Sequence, residues 1–412
     1  MSITSYAVGL RCVHCGARFS LRPMFEGCPT CATDDFRSGL TPEYDYRALG
    51  AAGSLAEAGR SGIWRYRRLL PVRHPAHELS LGEGSTALIA LPRIARELDA
   101  EAVWLKDESR NPTWSFKDRN AAVTVAMALE FGAQAVVASS SGNHGVAVAA
   151  YAARAGLRCR IVTYPGVPEG VRAAIQAFGA ELTITARDAR WGILRRAVEE
   201  DGWFPATNFT TIPTNGAYGH DGYKTIGYEL HEQLGGSAPD IVAVPTSYGE
   251  GLFGVWKGFD ELRRLGLVQR LPRMVACEPE GGPLAVAVER GDGRAIASVA
   301  ARSTVARGIG GTTNSYISVA ALNASDGLVG QANDAEIVQA QRDLAAEGVL
   351  VEPAAAAALA GLRTIKRRGE LSAGQRIVLV STSGGLKNVE ALLAGLPPLG
   401  RDLEVAVDQP RE

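Results

Sequence analysis

The chain has 412 residues, long enough for two or three domains with apolar cores of their own. Its 43 basic side chains against 44 acidic ones leave a net charge of -1, which gives no electrostatic case for a nucleic-acid partner or a membrane surface. The run LVEPAAAAALAGL is too short to cross a bilayer and is broken by Glu352 and Pro353.

The opening MSITSYAVGLRCVHC lacks an apolar h-region, so a cytoplasmic protein is expected. Cys12, Cys15, Cys28 and Cys31 then form two C-x2-C pairs, the spacing of two knuckles that present four thiolates to a tetrahedral zinc ion. An N-terminal module over residues 1–50 builds little core alone, so a metal staple makes physical sense. A closed four-thiolate site leaves no position for substrate, and its role is read as structural. His14 lies between the first two cysteines, yet four thiols already complete the ligand set. Cys159 and Cys277 sit singly in RCRIVTY and RMVACEP and read as buried small hydrophobes.

After the polar passage RALGAAGSLAEAGRSG, the segment WRYRRLLPVRHP reads as a linker, with residues 51–80 leading into a catalytic region over 81–405. In WLKDES the adjacent acids Asp107 and Glu108 read as structural. NAAVTVAMALEFG reads as a helix, and the following hundred residues alternate: QAVVASS (strand), HGVAVAAYAARAG (helix), LRCRIVTYP (strand), GVRAAIQAFG (helix), ELTITA (strand), DARWGILRRAVEEDG (helix). Trp203 and Phe204 read as core. A second set follows: YKTIGYELHEQLG, DIVAVPT, GLFGVWKGFDELRRLG, RMVACEP, EPAAAAALAGLRTIKRRG and RIVLVSTSGG. These βα units predict an α/β protein of two lobes with open twisted sheets, the smaller lobe inserted over 126–222, and a site at the strand ends between them.

Four loops carry the candidate chemistry. NPTWSFKDR (111–119) sets Lys117 in a turn after an aromatic residue. SSSGNHG (139–145) stands at a strand end and helix start, where free N–H groups can hold an anion. PTSYGEGLFG (245–254) has small residues that let successive amides approach a phosphate, with Glu250 expected to turn away from it. STSGGLK (381–387) closes the last long strand.

Together with LGEGSTAL, GYKTIGYEL and EGVLVEPA, these loops resemble the threonine synthases within the tryptophan-synthase-β-like (fold type II) family of pyridoxal-phosphate enzymes, over about residues 80–405. The resemblance implies that Lys117 bonds to the cofactor aldehyde and moves protons once substrate displaces it. It implies that Ser140, Ser141, Asn143 and His144 clasp the substrate carboxylate, that Asn143 also touches the cofactor ring oxygen, and that Ser247, Gly249 and Gly251 cradle its phosphate. Thr382 or Ser383 meets the pyridine nitrogen, depending on the alignment chosen, with Thr382 preferred. A hydroxyl there does not hold that nitrogen protonated, which favours elimination and replacement over transamination. The N-terminal module is expected to be zinc-ribbon-like, the assembly a homodimer, and the partner a small amino-acid substrate.

The implied reaction converts O-phospho-L-homoserine and water to L-threonine and phosphate. The alternatives are a serine/threonine dehydratase or ammonia-lyase, or a β-replacement enzyme of the cysteate synthase type. Three departures keep them open. Trp114 stands where glycine is usual and is expected to narrow the site near Lys117. His144 gives the Ser-Gly-Asn-His form more usual in dehydratases. TIPTNGAYGH (211–220) lacks the Asn-Pro-Tyr-Arg pattern, so the phosphate-receiving arginine falls at Gly219 and another donor, such as Asn215, His220 or Lys224, must replace it.

Overall fold

The computed structural model describes residues 5–51, 54–291 and 296–394, so the end of the expected catalytic region, 395–405, lies outside the described residues. Near the N-terminus, β1 (Ala7–Cys12) pairs antiparallel with β2 (Arg18–Phe19) and with β3 (Leu40–Tyr44). Gly9 is needed in β1, because a Cβ there would stand 2.6 Å from the Phe19 carbonyl oxygen.

The rest of the chain builds two sheets. β4 (Leu88–Ala90) and β5 (Ala102–Asp107) come first, followed by β6 (Ala135–Ser139), β7 (Arg158–Thr163), β8 (Glu181–Ile184) and β9 (Phe204–Pro205). β10 (Ile241–Pro245), β11 (Arg273–Pro279), β12 (Leu328–Ala332) and β13 (Arg376–Ser381) complete the set. The smaller sheet has the order β8-β7-β6-β9 and is parallel; the larger has the order β12-β11-β10-β13-β5-β4, parallel except for β4. The apolar runs of β6, β10 and β13 are buried on both faces, as parallel strands covered by helices require. Helix Pro353–Arg367 lies against the large sheet, where its alanines allow close approach: a Cβ on Gly361 would sit 2.7 Å from Cys277 Sγ. Cys159, Cys277, Trp203 and Phe204 are all core residues.

The structure departs from the sequence reading in the segment taken as a linker. Residues Gly62–Leu69 form a 3-10 helix that buries Ile63, Trp64, Tyr66 and Leu69, and the Trp64 indole donates to the Leu79 carbonyl at 2.6 Å. Between 280 and 350, which the pattern left unassigned, lie β12 and the helices Pro283–Arg290, Tyr316–Ala324 and Asp334–Ala346, the last opened by a capping box between Asn333 and Glu336. Among the described residues no helix is long and apolar enough to cross a membrane.

Two buried charge networks fix these parts against each other. Arg119, fully buried, bonds Glu108 at 2.7 and 2.8 Å and Glu229 at 2.7 and 2.8 Å, while Lys106 reaches Glu229 at 2.6 Å. That joins β5, helix Lys117–Glu130 and helix His220–Gln233. Burial works against the Glu229 charge, and Arg119 and Lys106 outweigh it, holding the carboxyl well below its usual range. In the second network, Asp221 takes the Tyr44 hydroxyl, Lys224 at 2.9 Å and Lys257 at 2.6 Å, and Lys257 also donates to Thr41 and to the Pro42 carbonyl. Strand β3 is thereby bound to helices His220–Gln233 and Glu250–Arg264. His220 and Lys224, considered above as phosphate donors, are committed to this interior and do not line the cleft described below.

Arg119→Ala leaves buried Glu108 without a cation and Glu229 with Lys106 alone, and a loss of about 3–5 kcal/mol is expected from equilibrium urea unfolding. A loss below about 1 kcal/mol, the range of an exposed ion pair, contradicts this account of the core.

Candidate active site

The loops after β6, β10 and β13 open at the carboxyl ends of parallel strands, where α/β sheets place their ligands. With the start of helix Lys117–Glu130 they line one cleft of about 530 Å³. Backbone bonds hold two of them together: the Phe116 amide donates to Thr382 at 3.0 Å, and the Glu352 amide to Ser383 at 3.2 Å. Lys117 therefore sits at a fixed place relative to the last strand.

The Lys117 Nζ lies 4.7 Å from the centre of the Phe116 ring and 5.5 Å from that of Tyr223. Burial pushes its amine pKa down, and Glu250 and Glu352 only partly restore it. An amine so placed spends more time neutral, as a nucleophile or proton carrier requires. Burial also lifts the Glu352 carboxyl to about 7 against the opposing influence of Lys387, Ser383, Asn143 and Lys117, and raises Glu250 against Lys117, Asn120 and the Gly216 backbone. The site thus holds a lysine and two acids that are all displaced toward their neutral forms.

Trp114 adopts φ 61, the left-handed region that costs a side-chain-bearing residue about 1 kcal/mol or more. That conformation is what makes glycine natural at this point. The indole does not narrow the cleft as expected: it is 58% exposed, is not among the lining residues, and lies 5.6 Å from Lys387 Nζ.

Ser140, Ser141, Asn143 and His144 all line the cleft, though not all present free groups to it. Ser140 Oγ accepts the amides of Gly145 at 2.9 Å and Gly142 at 3.3 Å, so it shapes the turn. Ser141 Oγ accepts from the Tyr164 hydroxyl at 3.0 Å, and Asn143 Nδ2 donates to Glu352 Oε1 at 3.0 Å. His144 turns its Nε2 to the Ala206 carbonyl at 2.6 Å, and burial, with Lys117 nearby, lowers its imidazole to about 4. It is a neutral ring that braces the small sheet.

In the loop after β10, Ser247, Gly249 and Gly251 line the cleft. Gly249 has φ 97 and begins helix Glu250–Arg264; a Cβ there would stand 2.2 Å from Ser318, and one on Gly251 2.7 Å from the Phe116 ring. No other residue fits, and the result is a small-residue cradle at a helix N-terminus, which suits a cofactor phosphate. Thr382 lines the cleft, whereas Ser383 is fully buried and does not. The residues present therefore fit pyridoxal phosphate.

Sequence reasoning missed Glu352, Lys387 and Tyr164. A lone acid before the alanine run was the available signal for Glu352; the other two had none. Gly219 is closed to any side chain, since a Cβ would stand 2.4 Å from Thr124 Oγ1 and 2.5 Å from Asn120 Nδ2. Asn215, at φ 59, lines the cleft and donates to Ser315 Oγ at 2.9 Å.

Away from the cleft, the ligand atoms of Cys12, Cys15, Cys28 and Cys31 all lie within 4.8 Å of one another, with Cys12–Cys31 and Cys15–Cys28 at 3.7 Å. Thiolates about 2.3 Å from a tetrahedral zinc stand roughly 3.8 Å apart, so the cluster has the dimensions of a metal site.

Residues 79–383 match the family model described as pyridoxal-phosphate dependent enzyme. The threonine synthase of Methanocaldococcus jannaschii is 30% identical over 93% of this chain and 94% of its own, and that of Halalkalibacterium halodurans 36% identical over 80% and 90%. Among solved structures, maize serine racemase superposes with a TM-score of 0.65 at 23% identity, covering 78% of this chain and 93% of its own, a likeness of fold. The match over more than half of the chain, on a two-sheet fold whose strand-end loops converge on Lys117, identifies this protein as a member of the fold-type-II pyridoxal-phosphate dependent enzymes.

Proposed function

We propose that this enzyme is a threonine-synthase-like lyase that converts O-phospho-L-homoserine and water to L-threonine and phosphate. The observation that carries the reading is the extent of similarity. Threonine synthases of Methanocaldococcus jannaschii and Methanosarcina acetivorans align at 30% and 32% identity with 93% of the chain. The structural likeness to a threonine deaminase, from tomato, is at 22% identity and covers 76%.

Pyridoxal phosphate supplies the electron sink that renders protons near the amino acid's nitrogen acidic. The protein's part is to bind, orient and move protons. Lys117 Nζ, depressed by burial, takes the α-proton and serves the β-carbon from the same position. Ser141, Asn143 and the amides of that loop orient the substrate carboxylate so that the breaking bonds lie across the conjugated system. Ser247, Gly249 and Gly251 hold the cofactor phosphate, and Thr382 meets the ring nitrogen. Glu352, bonded to Asn143 and lifted by burial to about 7, can take up or release a proton near neutral pH and so adjust the charge beside the cofactor. The four cysteines hold a structural zinc ion in a zinc-ribbon-like module, and the chain works as a cytoplasmic homodimer.

A parallel panel of O-phosphohomoserine, L-threonine, L-serine, and O-phosphoserine with sulfite tests the reaction. Threonine and phosphate appearing together, with kcat/KM for phosphohomoserine well above the rest, is the expected result. Keto acid and ammonia from serine or threonine, with phosphohomoserine inert, would replace this reading with a dehydratase.

For the metal, elemental analysis of the purified protein is expected to give about one zinc per chain, lost in Cys28→Ser. Metal-free protein with four reactive thiols contradicts the assignment.

A further inference from the structure

With position 219 closed, the substrate phosphate needs another receptor, and the cleft wall offers one. We propose that Arg187 and Arg190 form that receptor, a two-arginine clamp for a phosphomonoester on the substrate's side chain. The inference rests on the proposed phosphorylated substrate and adds the residues that select it.

Both arginines line the cleft from the small lobe, where the chain leaves β8 and enters helix Arg190–Glu199. Their guanidinium carbons lie 4.5 and 5.8 Å from the centre of the Tyr164 ring. The hydroxyl of that same tyrosine bonds Ser141 Oγ at 3.0 Å. One phenol ring therefore spaces the clamp from the loop assigned to the carboxylate, the scale of a short amino acid that bears a terminal phosphate. Arg187 lies over the Tyr164 ring and Arg190 between it and the Trp191 ring, 4.7 Å from the latter's centre, so aromatic faces hold both guanidinium groups at the cleft, and a planar fork of donors matches a phosphate. Tyr248 of the cofactor loop lines the same cleft, and its phenol, raised by burial, is lowered by Arg190 and Arg187. The clamp thus lies within electrostatic reach of the cofactor loop.

Charge pairing gives a second, independent indication. Three arginines of this lobe are paired, Arg158 and Arg160 with Glu181 and Arg195 with Glu199, but of the lobe's arginines only Arg187 and Arg190 line the cleft. Among the described residues neither Arg187 nor Arg190 meets a carboxylate, and Arg190 Nε is enclosed without a hydrogen-bond partner. Arg302 and Arg307 add further positive charge to the large-lobe wall.

The test titrates the holoenzyme, followed by its visible absorbance, with O-phosphohomoserine, O-phosphoserine, L-serine and L-threonine, using inorganic phosphate as competitor. The wild type is expected to bind the phosphorylated amino acids at least about tenfold more tightly than the others. Arg187→Gln and Arg190→Gln are each expected to weaken phosphorylated ligands and inorganic phosphate by roughly 10–100-fold, with serine and threonine changed by less than about twofold. Lysine at either position should restore part of the loss, because it keeps the charge without the fork. A double Gln variant that keeps the preference, equal weakening toward all four amino acids, or a wild type without preference would each overturn the clamp. If the wild type prefers phosphorylated ligands and the variants lose that preference while phosphohomoserine yields no threonine, the clamp stands and the proposed reaction falls. If threonine forms equally well in the double variant, the reaction stands and the clamp falls.

Discussion

A single guanidinium, that of Arg119, answers two carboxylates that have no water to turn to. Glu108 lies at the end of β5 and Glu229 on helix His220–Gln233, and Arg119 closes on both in bidentate fashion from the helix that also carries Lys117. Buried ion pairs are poor sources of net stability, but they tolerate few alternative geometries. Here the tolerance is set two residues from the lysine on which the site converges. The Asp221 network extends the same logic to β3, so the N-terminal sheet is held against the two helices that stand behind the cofactor loop.

The site inherits its position from this frame and its chemistry from burial. The loops meet because their strands are parallel and end on one side. The ionisable groups they gather are drawn toward neutrality: Lys117 downward, Glu250 and Glu352 upward. An amine that is to serve as nucleophile or proton carrier needs an environment in which neither protonation state is strongly preferred. The cysteine module takes no part in this. It touches the catalytic frame through packing and hydrogen bonds, such as the Tyr218 hydroxyl on the Arg22 carbonyl at 2.6 Å.

Much of the α/β alternation was legible in the sequence because strands such as QAVVASS and RIVLVSTSGG are short apolar runs followed by glycine-containing loops. The same pattern located three of the four loops, since small residues at strand ends have few reasons to recur; NPTWSFKDR stood out instead by its resemblance to the family's lysine motif. β12 was not legible: its LVGQA carries Gly330, which the contact with Gly361 demands and which dilutes the apolar signal. The linker reading failed because the arginines of WRYRRLL mask buried Trp64, Tyr66 and Leu69. Trp114 misled because a residue's φ is not written in its identity. Arg119 was visible only as one half of an acid–base pair after Lys117, since its partner Glu229 is 110 positions away in the chain. His220 and Lys224 looked like anion donors for the same reason: Thr41, which bonds the His220 ring, and Glu261, which pairs with Lys224, lie far along the chain.

The central claim is that Lys117 is the residue to which pyridoxal phosphate is bonded. Borohydride reduction of the purified holoenzyme, followed by proteolysis and mass spectrometry, addresses it most directly. The account predicts a single reduced pyridoxyl adduct on the peptide containing Lys117, and loss of the visible absorbance in Lys117→Ala while the fold is retained. An adduct on another lysine, or no adduct under saturating cofactor, would contradict it.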